Sequence, residues 1–77
     1  MDTRPIYDIT GPDGNAFAIM GFVRQTLRDI GEDSDYIEGV LSDMKSGNYE
    51  NLLEIAVIEL GDFVYFEGLE RYGIDNF

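Results

Sequence analysis

Four breaks determine how this chain can be divided. "GPDGN" at residues 11–15, Gly31, "SGN" at 46–48 and Gly61 interrupt a sequence that is otherwise patterned with apolar residues. Three stretches of helical length lie between the breaks. Two short stretches rich in β-branched and aromatic residues flank them. The predicted order is strand, helix, helix, helix, strand.

"PIYDIT", residues 5–10, reads as the first strand, and Pro5 suits a strand start because it has no N–H to donate. The turn that follows carries Gly11, Pro12 and Gly14, and Asn15 is the expected N-cap of the first helix. Ala16, Met20, Val23, Leu27 and Ile30 recur at spacings that keep them on one face, with Ile19 beside them and Phe17 and Phe22 on the flanks. That apolar surface is wider than one buried stripe requires. Gly31 is expected to end the helix in the left-handed region.

Ser34 or Asp35 is the expected cap of the second helix, with Asp35 and Glu38 spaced as a capping-box pair. Ile37, Val40, Leu41 and Met44 form its apolar stripe, Gly47 its stop, and Asn48 the next cap. The third helix is apolar almost all round, from Tyr49, Leu52, Leu53, Ala56 and Leu60 to Ile55, Val57 and Ile58. Such a helix is expected to be covered on several sides, and Gly61 is expected to end it. "FVYFE", residues 63–67, reads as a strand with apolar side chains on both faces, both of which should be covered.

The predicted fold is α+β in a single domain over 1–77. Its core spans about 5–67 and residues 68–77 form a tail. The two terminal strands pair side by side with three helices packed on one face. A two-stranded sheet is marginal in water. An exposed edge joining the same edge of a second copy would give a homodimer.

Composition removes much of the chemistry. With 77 residues and neither cysteine nor histidine, disulfides, thiolate metal sites and histidine-based catalysis are excluded. The 16 carboxylates against five cations give a net charge of −11, which disfavours direct binding to nucleic acid or to anionic membranes. Yet 44% hydrophobic and 13% aromatic content marks a folded domain rather than an acidic tail. No apolar run approaches the roughly 20 residues of a membrane span. "MDTRPIYDIT" lacks a leader pattern, so a cytoplasmic location is expected.

Candidate sites are correspondingly few. A phosphate cradle at "GPDGN" is opposed by Pro12, which lacks an N–H, by the charge of Asp13 and by the absence of a following lysine. Arg24 and Arg28, four apart, are a candidate anion clamp, although pairing with neighbouring carboxylates is the plainer reading. Asp29, Glu32, Asp33, Asp35 and Glu38 form the densest acidic cluster, but "DIGEDSDYIEG" lacks the ligand order of a calcium loop. No metal, cofactor or catalytic residue is expected, and the chain reads as a non-enzyme.

"TGPDGNAFAIMG", "SGNYENLL" and "LGDFVYFE" together resemble a group of short acidic proteins of bacteria, prophages and phages. Their shared pattern runs GP(D/E)GNAF, then an SGDY-like helix start, then a GDFV-like strand. The resemblance covers about residues 6–67. Here Asn48 stands where Asp is frequent and Leu60 where Phe is frequent. It implies a genomic setting and carries over no catalytic residue.

Three functions fit these features. The first is a protein-interaction module, in the phage setting an inhibitor of a host defence system, anchored by Tyr7, Phe63, Tyr65, Tyr72 and Phe77. The second is a DNA mimic whose acidic cluster occupies a basic partner. The third is a dimeric sequestrant of a nucleotide-like molecule, with Arg24 and Arg28 on the anion.

Overall fold

The computed structural model describes residues 2–76. Six elements follow in order: β1 (Ile6–Asp8), α1 (Ala16–Asp29), α2 (Ser34–Lys45), α3 (Tyr49–Leu60), β2 (Tyr65–Glu67) and a 3-10 turn (Leu69–Tyr72). β1 and β2 pair in parallel, with Ile6 opposite Tyr65, Tyr7 opposite Phe66 and Asp8 opposite Glu67. The fold is therefore α+β in the predicted β-α-α-α-β order. Parallel strands need a crossover, and the three helices supply it.

Capping follows the residue chemistry closely. The side-chain oxygens of Asn15 and Asn48 accept from Ala18 N–H and Asn51 N–H, each at 2.9 Å. Gly31, with φ of 96°, follows the last turn of α1. The cap of α2 is neither Ser34 nor Asp35 but Asp33, whose carboxylate accepts from Tyr36 N–H at 2.8 Å. The helix starts one residue early, so Asp35 and Glu38 both lie inside it and form no capping box.

One closed core joins the elements. Ile19, Val23 and Leu27 of α1 meet Ile37, Leu41 and Met44 of α2 and Leu53, Ala56 and Leu60 of α3. Ile30, placed by its spacing in the α1 stripe, is instead the C-cap and is 43% exposed. α3 is buried along Leu52, Leu53, Ala56, Val57 and Leu60, but Ile58 is left exposed. Between sheet and helices, Tyr7, Phe22 and Phe66 form a ring cluster with centroids 4.5 to 6.4 Å apart.

The second strand is shorter than its sequence suggests. Phe63 N–H and Val64 N–H both donate to Leu60 O at 2.9 Å, so these residues unwind α3 instead of joining the ladder. Val64 and Phe66 are buried, whereas Phe63 and Tyr65 lie on the outer side, exposed and half-buried. The expected cover on both faces is present on one only, the face on which the helices pack.

Residues 68–76 fold back on the domain. Leu69 is buried, Tyr72 meets Tyr49 edge-on with centroids 5.5 Å apart, and Ile74 packs against the core. Gly68 turns the chain at φ of 99°, close against Thr10, where a Cβ would lie 2.5 Å from Thr10 Cγ2. Asn76 then bonds the outer edge of β2 through both ends of its amide.

Candidate functional site

The "GPDGN" turn is structural from end to end. A Cβ on Gly14 would fall 1.8 Å from Ile9 O, so only glycine lets the turn lie against the end of β1. Gly14 N–H donates to Gly11 O at 3.0 Å, and the Asn15 amide donates to Pro12 O at 2.9 Å. Tyr7 Oη donates to Asp13 O at 2.9 Å and Tyr49 Oη to Gly14 O at 3.0 Å. Two tyrosines, one in β1 and one at the start of α3, thus hold the turn. Burial raises both their pKa values, helped at Tyr7 by the charge of Asp13.

The structure does not bring Arg24 and Arg28 to one site. Arg24 reaches across to Glu38 of α2 at 3.7 Å, an exposed pair worth little in stability, and lines a groove that Arg28 does not. The acidic residues Asp29, Glu32, Asp33, Asp35 and Glu38 are all exposed around the α1–α2 corner. Asp29 accepts from Gln25 Nε2 at 2.8 Å, and Asp33 is occupied as a cap. Among the described residues, no group of Asp and Glu is arranged to hold a metal ion.

The proposed aromatic anchors are dispersed. Tyr7 belongs to the ring cluster and the turn. Tyr65 lies under the Arg4 guanidinium, 5.6 Å from the ring centroid. Arg4 also donates to Gly61 O and to Asp2, and that pairing holds the Asp2 carboxyl down at about 2. Phe63 is 46% exposed and Tyr72 packs on Tyr49. Phe77 lies outside the described residues.

A feature that the spacing alone did not single out is a groove of about 750 Å³ between α1 and the α2–α3 junction. Phe17, Met20, Gly21 and Arg24 form its α1 wall. Met44 and Leu52 lie in its floor, and Lys45, Asn48 and Tyr49 form the opposite side. Phe17 stands at the rim and is 90% exposed. None of the residues lining the groove is an Asp or Glu, in a chain with sixteen of them, while two of its five cations are there. The excess width of the α1 stripe was the visible signal, since Phe17 lies on its flank. The floor is contributed by two further helices and had no sequence signature.

A smaller recess of about 220 Å³ on the outer sheet face is lined by Asp2, Arg4, Ile6 and Tyr65. Among the described residues, no helix is long and apolar enough to cross a membrane. Comparison with family models, curated proteins and solved structures finds no match for this chain.

Proposed function

We propose that the chain is a non-enzymatic protein-interaction module whose contact surface is the α1 groove. The observation that carries this reading is Phe17. A phenylalanine exposed at 90% beside an apolar groove, on a domain whose core is already closed, is a contact residue without a contact. An aromatic anchor next to an adaptable methionine, here the half-buried Met20, is a recurrent composition of protein-binding surfaces. In the bacterial or phage setting that the sequence pattern resembles, such a module acts in the cytoplasm as an inhibitor that covers a working surface of a host protein. A tagged capture from bacterial lysate, run with the wild-type chain and with Phe17→Asp, tests it. A partner retained through a high-salt wash and lost with the variant supports the reading; identical capture by both removes it.

The exposed acidic corner favours a second reading, mimicry of a nucleic-acid backbone. Among the described residues, only Glu38 of its five carboxylates meets a cation, at 3.7 Å. A mimic forms a complex that competes with DNA and dissociates steeply with salt. Simultaneous binding of DNA and this chain to one target excludes it.

A further inference from the structure

We infer that the occupant of the α1 groove is a second copy of this chain, in a two-fold arrangement that seats each Phe17 in the other's groove. The inference rests on the reading of the groove as a protein-contact surface and names what fills it when no host protein is bound, since both occupants would use Phe17. A two-fold interface is made by one patch meeting itself, so the patch must hold both a projection and a recess. This patch does: Phe17 projects from the rim of the groove that it helps to line.

Charge points to the same face. Two copies carry −11 each and repel one another over most orientations. The residues that line the groove include no carboxylate and two cations, Lys45 and Arg24, the latter paired with Glu38 at 3.7 Å. The groove is therefore where two such copies meet at low electrostatic cost. Gly21, on the same wall of α1, has open space where a Cβ would be, so a second helix can approach closely there. The sheet offers no comparable contact. The outer edge of β2 is taken by Asn76, and β1 is three residues long, with Pro5 before it and Asp8 at its end.

Sedimentation of the full chain at about 100 µM, in about 0.05 M and about 0.5 M salt, tests the inference. The wild-type chain is expected at twice its mass of 8.7 kDa, with tighter association in high salt as the repulsion between copies is screened. Phe17→Asp is expected at the single mass, its dimer weakened by about a hundredfold or more. Its fold should be intact, because α1 has no acidic residue in its first turn and a carboxylate there suits the helix dipole. Gly21→Glu is the second variant: it raises helix propensity while placing a charge in the groove, and it too should be monomeric. A wild-type chain at the single mass in both salts overturns the inference, as does a dimer that both variants leave intact. A monomeric wild type that loses its lysate partner on Phe17→Asp overturns the dimer alone and leaves the groove as a surface for a foreign protein.

Discussion

The Asn76 side chain completes the backbone pairing of Phe66. Its amide oxygen accepts from Phe66 N–H at 2.9 Å and its amide nitrogen donates to Phe66 O at 2.7 Å. One carboxamide thereby plays the part of a third strand on the outer edge of β2. Phe66 is fully buried, so both backbone groups would otherwise be left without water or a partner. Asn76→Leu is expected to lower stability by about 2 kcal/mol. The Phe66 amide should also lose its protection from hydrogen exchange. A urea midpoint unchanged by the substitution would show that the edge is held by something else.

Gly14→Ala should be among the most damaging single changes in the chain. The new Cβ would sit 1.8 Å from Ile9 O, a backbone atom that cannot swing away. The turn would have to move, taking with it the carbonyls that Tyr7 and Tyr49 bond and the Asn15 cap. A loss of about 3 kcal/mol or more is expected in a thermal melt. Gly11→Ala, where a Cβ would meet nothing within 4 Å, is the matched control and should cost far less.

Two phenylalanines of opposite burial separate packing from contact. Phe66→Ala empties a fully buried site in the ring cluster and is expected to cost about 4 kcal/mol, most of the stability of a domain this small. Phe17→Ala, at 90% exposure, should stay within about 0.5 kcal/mol of wild type under conditions where the chain is monomeric. Urea titrations of both variants at low protein concentration make the comparison. A large loss at Phe17 would place it in the core.

The three helices and most of their ends were legible in the residues, because they depend on local chemistry. Asn15, Asn48 and Gly31 act within one turn of their own position. The failures are of two kinds, a choice between neighbouring local partners and contacts that only the tertiary fold brings together. Asp33 displaced Ser34 as a cap by a shift of one residue. Phe63 and Val64 have β-propensity, yet the last carbonyl of α3 claims their N–H groups. Asn76 looked like tail, and its partner is ten residues away. The groove joins Phe17 to Leu52 and Met44 across three helices, and no spacing within one helix encodes that juxtaposition. Arg24 and Arg28 share a helix and looked equivalent, but only Arg24 lines the groove.

Tyr36 should ionise late. Its hydroxyl donates to Glu59 Oε1 at 2.6 Å, tying α2 to α3, and this bond to a carboxylate pushes its pKa up to about 12. The folded value lies above the ordinary one of 10.0, so the neutral phenol is the favoured form. Its contribution to stability is complete below the ordinary value and is lost as pH rises through about 12. Tyrosine ring carbons followed by NMR should show Tyr36 as a late-titrating residue. In Glu59→Gln its midpoint should fall back toward the ordinary value. A Tyr36 midpoint near 10.0 in the wild-type chain would mean the bond is not formed in solution.

The register that sets Ile6 beside Tyr65 also orders events in time. Helices α1, α2 and α3 are neighbours in sequence and can pack as soon as they exist. β1 is made before them and has no strand to pair with until β2 is complete, and the Tyr7–Phe22–Phe66 cluster stays open until then. On a ribosome, β1 thus emerges before the helices and finds its place after them. A nascent chain stalled before Phe66 should carry helices without a closed core and be easily cut by protease, and one in which Asn76 has emerged should resist.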